Sequence, residues 1–221
     1  MKKIRKTSIT VSISLLSAFV LWTVLVGLCD VEAIGPNGTE VGFATLNGAF
    51  HKLTGVNMTL YTITDWLGLV PIAVSVGFAI CGLSQWIKRK SITGVDRDLI
   101  ALGIFYIAVA ATYILFELVV INYRPILIEG NLEASYPSST TMLVACVMPT
   151  AMMQASRRIK KAPLRDAILI IISAFIAFTV IGRVLSGVHW LSDIIGGMLV
   201  SAGLVTAYLA SITPKTNNDR K

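Results

Sequence analysis

The chain has 221 residues, of which 55% are hydrophobic and only 14% are charged, and its formal net charge is +7 at pH 7. A soluble domain of this size needs a wetted exterior, so this composition excludes a soluble globular enzyme and predicts a single membrane domain over residues 1–221. The basic residues lie mainly in short loops between apolar runs, where they report membrane topology and do not predict a nucleic-acid partner. The three cysteines are scattered and predict neither a disulfide framework nor a metal site.

The apolar runs predict an all-α, polytopic membrane protein with six transmembrane helices, because a helix needs about 20 residues to cross a bilayer. The first run follows the basic start MKKIRK and is longer than the apolar part of a cleavable signal, so we expect it to persist as a span. A polar segment follows it, and its residues 45–53 are expected to form a short interfacial helix. The predicted spans are residues 8–28, 66–87, 99–122, 138–155, 167–182 and 194–212.

Lysine and arginine are distributed unequally between the two sides of this predicted bundle. Sixteen of the 19 lie on the side that holds both termini, and the other three are Lys52, Arg124 and Arg183. By the positive-inside rule, both termini are cytoplasmic and residues 183–193 face the extracytoplasmic side of the cell membrane.

The segment between the fifth and sixth predicted spans reads G-R-V-L-S-G-V-H-W-L-S-D over residues 182–193. If this segment is helical, His189 and Asp193 are four residues apart on one face, so the carboxylate can orient one ring nitrogen and leave the other nucleophilic. Arg183 supplies a forked cation that suits phosphate oxygens. On spacing alone, a structural His–Asp hydrogen bond remains the alternative.

Two further predicted helix ends lie on the same side of the membrane. Arg124-Pro125 closes the third span, because proline does not continue a helix, and Tyr136-Pro137-Ser138 opens the fourth. Proline beside serine is an ordinary helix start, but the free N–H groups of such a start also bind anions. Three converging ends with two arginines therefore predict an anion site.

The order R-P, then P-S-x-x, then R-x5-H-x3-D over six spans resembles the type 2 phosphatidic acid phosphatase (PAP2) superfamily, membrane lipid phosphatases related to vanadium haloperoxidases. The resemblance implies that His189 attacks phosphorus to form a phosphohistidine and that Asp193 orients it. It further implies that Arg124, Ser138 and Arg183 hold phosphate oxygens, with no metal or cofactor. The implied substrate is a membrane lipid phosphate or diphosphate at the outer leaflet, of the polyprenyl diphosphate or phosphatidic acid type.

The motif-bearing region, residues 117–193, departs from the family pattern at sites that we expect to line the active site. Glu117 stands where the family has a lysine, and we expect it to pair with an arginine or to face water. Thr140 stands where the family has a proton-donating histidine, and Ser139 where glycine is common. Threonine does not donate a proton near neutral pH, so the sequence predicts a preference for diphosphates, with His51 as another candidate donor.

Two other functions remain open at this point. One is a catalytically weak family member that binds or moves a phospholipid without hydrolysis. The other is a small transporter in which Glu117 and Arg124 form a gating pair, although the sequence shows neither internal repeats nor paired broken helices.

Overall fold

The computed structural model describes residues 2–214, which are all-helical as predicted, with no strand in that range. Short 3-10 turns occur at Pro36–Gly38 and Ile92–Gly94. The helices are α1 (Lys2–Leu28), α2 (Ala44–Thr54), α3 (Met58–Leu67), α4 (Leu69–Arg89), α5 (Arg97–Leu118), α6 (Ser139–Arg158), α7 (Ala162–Leu185) and α8 (Leu191–Ile212).

Five helical segments in the described range are long and apolar enough to cross a membrane. The sixth predicted span corresponds to α6, which has 20 residues but a more polar composition that includes Thr150 and Gln154, both buried. More than half of α6 is buried against other helices, so protein surrounds it and polar side chains are tolerated there. The count of six spans therefore stays a prediction that depends on α6. The five segments are Lys3–Leu28, Met58–Arg89, Arg97–Leu118, Ala162–Leu185 and Leu191–Ile212.

Helix α8 lies at the centre of the bundle and packs antiparallel to α1. The hydroxyl of Ser12 donates to the carbonyl of Gly203 (2.9 Å), and the indole of Trp22 donates to the carbonyl of Ser192 (3.0 Å). The two helices approach closely because Gly203 has no side chain: a Cβ there would lie 2.7 Å from Leu16. These contacts fix the start of α8, from which Asp193 projects.

Acidic and basic side chains join the helix ends opposite the motifs. Arg158 bonds Asp96 (3.2 Å) and Asp98 (3.1 Å), and Arg89 also bonds Asp96 (2.9 Å). Hydrogen bonds from Gln85 and Arg89 lower the pKa of Asp96 to about 2. The basic loops and the motif-bearing loops thus lie at opposite ends of the bundle, as predicted. Three basic residues of that prediction lie outside the described residues: Lys215, Arg220 and Lys221.

Candidate active site

His189 lies in the turn between α7 and α8, and not on the helix itself. Helix α8 begins at Leu191, so His189 and Asp193 do not share a helix face, which corrects that expectation. The turn depends on Gly187, whose φ is +66° and whose position has no room for a side chain: a Cβ would lie 1.8 Å from the carbonyl oxygen of Gly55. The turn buries the imidazole to 5% exposure and directs it toward the loop between α5 and α6.

A serine that the sequence analysis did not select connects His189 to Asp193. Ser135 Oγ lies 2.9 Å from His189 Nδ1 and donates to Asp193 Oδ2 at 2.6 Å. His189 Nε2 lies 3.0 Å from Arg183 Nη2, and because a guanidinium only donates, Nε2 is the acceptor. The proton of the neutral ring is therefore on Nδ1 and points to Ser135. In the described chain no direct hydrogen bond joins His189 to Asp193.

Asp193 is fully buried and its carboxylate accepts several hydrogen bonds. Oδ1 accepts from Asn122 (3.2 Å) and Ser192 (3.3 Å), and Oδ2 accepts from the backbone N–H of Trp190 (3.0 Å) as well as from Ser135. These bonds satisfy both carboxylate oxygens and fix their position. Asn122 and Ser135 both flank residues of the predicted motifs, and that adjacency was the only sequence signal for them.

The structure brings Arg124 and Arg183 together over one aromatic ring. Their guanidinium carbons lie 5.8 Å and 4.9 Å from the centre of the Tyr61 ring, within cation–π range. Each arginine has one acidic neighbour: Arg124 Nε lies 3.0 Å from Glu133 without hydrogen-bond geometry, and Arg183 Nη1 lies 3.4 Å from Asp65. Two buried cations are thus held side by side against two partly exposed carboxylates.

Several donors of this arginine pair make no hydrogen bond, although Arg124 Nε lies near the Glu133 carboxylate. Arg124 Nε and Nη1 and Arg183 Nε are buried and make no hydrogen bond within residues 2–214. A buried donor without an acceptor costs about 1–3 kcal/mol, and more when it is charged. Such groups indicate that an anion completes the site, and a phosphate matches the forked geometry of the guanidinium.

Helix α3 contributes Tyr61 and Asp65, which are four residues apart on one face. It is fixed against α7 where the N–H of Asn57 donates to the carbonyl of Ser186 (2.9 Å). At Gly182 a Cβ would lie 2.6 Å from Thr64, so the glycine permits this close packing. The sequence analysis assigned no function to α3, because no pattern marked these two residues.

Ser138, a predicted phosphate ligand, makes its hydrogen bonds within the protein. It is fully buried before the start of α6, where its hydroxyl donates to Thr141 (3.0 Å) and its N–H donates to the carbonyl of Asp193 (3.1 Å). These bonds tie the start of α6 to the start of α8. Ser138 therefore connects two site-bearing helices, and its donors do not face the arginine pair.

An apolar cavity of about 510 Å³ lies between α4, α5 and α6. Asp65, Ser139 and Thr140 line it near the arginine pair, and Tyr106 and Val147 line it farther along the bundle. Ser139 and Thr140 thus line this cavity, and their place in the active site stays a prediction.

Glu117 and His51 lie elsewhere. Glu117 is exposed and makes no ion pair with Arg124 or Arg183 in the described chain, since Glu133 and Asp65 occupy that role. It lines a small depression beside Ser135 and Ser139. His51 lies 3.1 Å from the carbonyl of Gly187 and against the Trp190 ring, so it supports the His189 turn from behind. Glu117 and Arg124 therefore do not form the predicted gating pair. His51 makes its contacts with the His189 turn and not with the arginine pair.

The electrostatics of His189 favour a neutral ring. Burial first, and then the positive charges of Arg124 and Arg183, hold the pKa of His189 well below its ordinary value. A neutral imidazole whose Nε2 carries no proton is a nucleophile once the hydrogen bond from Arg183 is released. Within residues 2–214, no three His, Cys, Asp or Glu side chains are grouped so as to hold a metal ion.

Comparisons with known proteins identify the family and support the fold. The sequence model of the PAP2 superfamily matches residues 72–217. A Bacillus subtilis structure, described as a transmembrane PAP2-type phosphatidylglycerolphosphate phosphatase, shares 20% identity and superposes with a TM-score of 0.60 over 90% of this chain and 94% of that chain. None of the curated proteins matches the chain significantly. The protein is a multi-pass membrane protein of the phosphatase type, and because the family match covers more than half of its length, it belongs to the PAP2 superfamily.

Proposed function

We propose that this protein hydrolyses a membrane lipid phosphate or diphosphate through a phosphohistidine on His189. The observation that supports this most is the position of Arg183. One terminal nitrogen of its guanidinium contacts the Nε2 lone pair of a neutral histidine, and its Nε has no acceptor in the described chain. A phosphate that takes up the free donors of both arginines therefore lies against the nucleophile.

Substrate binding and attack follow from these contacts. Phosphate oxygens accept from Arg124 and Arg183, and Arg183 Nη2 turns from Nε2 to a phosphate oxygen, which frees the lone pair. Nε2 then attacks phosphorus and the bond to the leaving oxygen breaks. The positive charge that develops on the ring is stabilised through Nδ1–H, which donates to Ser135, which donates to Asp193. Water then attacks the phosphohistidine and releases phosphate.

The cavity between α4, α5 and α6 supports a lipid as the substrate. Its volume of about 510 Å³ falls in the range of small-molecule sites, and most of its lining is apolar. It begins beside Asp65 and Thr140 and continues along the bundle past Val147. A hydrocarbon chain in this cavity places its phosphate at the arginine pair.

The direct test is phosphate release from defined lipids by the purified protein. The panel contains one polyprenyl chain as its mono- and diphosphate, phosphatidic acid, and phosphatidylglycerolphosphate, the substrate named for the Bacillus subtilis protein. We expect hydrolysis of at least one class and its loss in His189→Ala. His51→Gln is the matched control, because it changes the only other histidine. His51 contacts the back of the His189 turn, so this variant should keep a measurable rate that His189→Ala loses. Saturable lipid binding without phosphate release would contradict the proposal and favour a protein that binds or moves phospholipids.

We propose further that the site faces the outer leaflet, on the basis of the 16-to-3 split of basic residues. Val188 is unsuitable as a labelling site because it is fully buried, whereas Asn131 and Lys160 are exposed at opposite ends of the bundle. In a cysteine-free background, Asn131→Cys should react with an impermeant thiol reagent on intact cells and Lys160→Cys should not. The reverse labelling would place the site in the cytoplasm.

A further inference from the structure

Expulsion of the leaving oxygen requires a proton that none of the predicted residues supplies. An alkoxide leaves poorly because its conjugate acid is about as weak as water, with a pKa of roughly 15.7. A positioned general acid accelerates such a step by about 10²–10⁴-fold. Thr140 is no such acid, and His51 is engaged behind the His189 turn. A monoesterase built on this site therefore needs a different donor.

We propose that Asp65 is the general acid of this site, an inference that rests on the proposed phosphatase function. Asp65 Oδ1 lies 3.4 Å from Arg183 Nη1, and the other terminal nitrogen of the same guanidinium lies 3.0 Å from His189 Nε2. One arginine thus bridges the nucleophile and the Asp65 carboxyl. A phosphate bound to Arg183 lies within reach of both.

The cavity gives the leaving oxygen its place. This oxygen joins the phosphate to the lipid chain, so it lies where the cavity meets the arginine pair. Asp65 is at that junction: it contacts Arg183 and also lines the cavity together with Ser139 and Thr140. Glu133, the carboxylate beside Arg124, does not line the cavity. Of the two carboxylates, only Asp65 is therefore placed to reach the leaving oxygen.

Asp65 obtains its proton when the substrate binds. Without substrate, its carboxylate pairs with Arg183 and remains 54% exposed, so the ion pair is weak and easily displaced. A phosphate that takes Arg183 removes this counter-ion and places a second anion beside the carboxylate. Two anions that share a site hold a proton between them, and a phosphate monoester with a second pKa of about 6 brings one when it binds as the monoanion.

The proton is then returned within each turnover. In the first step His189 Nε2 bonds to phosphorus, the bond from phosphorus to the leaving oxygen breaks, and the Asp65 proton moves to that oxygen. The products are a lipid alcohol, a phosphohistidine and an Asp65 carboxylate. In the second step water bonds to phosphorus as the P–N bond breaks, and Asp65 takes the proton of the water. Phosphate leaves as the monoanion H2PO4⁻ and takes this proton with it, so the Asp65 carboxylate pairs again with Arg183 and His189 is again neutral.

The fold holds Asp65 in place for this role. Helix α3 is fixed against α7 by the bond from Asn57 to Ser186 and by the close approach of Thr64 to Gly182. The region that matches the family begins at residue 72, after α3 ends. The proposed acid therefore comes from a segment outside the matched region and acts across from Thr140.

The experiment compares one polyprenyl chain as its monophosphate and its diphosphate in Asp65→Asn. Loss of a general acid affects an alkoxide leaving group more than a phosphate leaving group. We expect kcat for the monophosphate to fall about 10²–10⁴-fold and kcat for the diphosphate to fall less than about tenfold. Glu133→Gln is the matched control, because it removes the carboxylate beside the other arginine. It should change both substrates by the same factor.

A second variant keeps the test decisive if Asp65→Asn is damaged. Adding Thr140→His places an imidazole across the cavity, and monophosphate activity should recover in the double variant. Equal losses on both substrates, no loss on either, or no recovery in the double variant would overturn the role of Asp65. A wild type that hydrolyses neither lipid would instead refute the proposed function itself.

Discussion

The two halves of the site differ in how completely their polar groups are paired. In the histidine half, Asp193, Ser135 and His189 form a buried chain of hydrogen bonds in which each side chain has a partner. In the arginine half, Arg124 and Arg183 are also buried, yet three of their nitrogens have no hydrogen-bond partner in the described chain. The first half is fully paired in the free protein, and in the proposed mechanism the substrate phosphate supplies the acceptors that the second half lacks.

This difference separates preorganisation from binding. In the proposed mechanism, this paired network holds the His189 ring in one tautomer and one orientation before the substrate arrives, and only Arg183 moves when the phosphate binds. Unpaired charged donors are costly in the free protein and gain acceptors only when an anion binds. Variants of the histidine half should therefore change mainly kcat, and variants of the arginine half should change both kcat and KM.

The largest effect is expected for His189→Ala, which removes the attacking nitrogen. Phosphate release should fall below detection, because no other group in the described site is placed to form the covalent intermediate. The arginine pair is unchanged, so inorganic vanadate, a phosphate analogue, should still raise the unfolding temperature of the variant. Residual turnover near the wild-type rate would remove His189 from the mechanism.

The next largest effect is expected for Arg183→Lys. Lysine keeps the charge but loses the fork that contacts His189 and Asp65 with two different nitrogens. We expect kcat/KM to fall by about 10²–10³, the size of loss seen when one donor to a transition-state oxyanion is removed.

Arg124→Lys is the matched control for this variant. Arg124 shares the Tyr61 ring but, among the described residues, makes no hydrogen bond to His189. Its replacement should raise KM and lower kcat less than Arg183→Lys does. Equal effects of the two variants would show that the contact from Arg183 to His189 has no role.

A smaller loss, confined to kcat, is expected for Ser135→Ala. This change breaks the chain from His189 to Asp193 while both of those residues remain, so Nδ1–H loses its acceptor. We expect kcat to fall by about 10²-fold with KM within about twofold, and Ser135→Thr, which restores a hydroxyl, to recover part of the rate. A Ser135→Ala variant with full activity beside an inactive Asp193→Asn variant would indicate direct contact between His189 and Asp193.

The same comparison shows what the sequence was able to predict. Arg124, Arg183 and His189 were placed together correctly, because each lies at a helix end and the predicted spans bring those ends to one face. The all-helical fold was also predicted, because apolar runs of about 20 residues span a bilayer as helices. Ser135 was missed since a serine in a polar loop is common, and its role depends on a contact with His189 that is 54 residues away along the chain.

Helix α3 was missed for a different physical reason. Asp65 meets Arg183 across 118 residues of sequence, through packing that depends on Gly182. Nothing in the local pattern around Asp65 distinguishes it from an ordinary polar residue near a membrane surface. The predicted shared helix face for His189 and Asp193 was wrong because Gly187 turns the chain before α8 begins.

The smallest expected effect concerns the chemical modification of His189, whose rate should depend less on pH than that of an ordinary histidine. Diethyl pyrocarbonate modifies neutral imidazole, so its reaction with an ordinary histidine of pKa about 6.5 slows about tenfold between pH 7.5 and pH 5.5. Burial and the two neighbouring arginines hold the pKa of His189 well below that value. We therefore expect His189 to keep its neutral form to lower pH than an ordinary histidine, so the rate of inactivation, after correction for reagent hydrolysis, should fall by much less than tenfold over this range.

His51→Gln provides the background for this measurement, because His189 is then the only histidine in the chain. Arg124→Gln sharpens the test further, since it removes one of the two charges that lower the pKa of His189. In that variant the proton binds more readily, so inactivation at pH 5.5 should slow relative to pH 7.5. A tenfold drop in the parent protein would mean that His189 titrates as an ordinary exposed histidine. In that case the arginine half would not set the protonation of the histidine half.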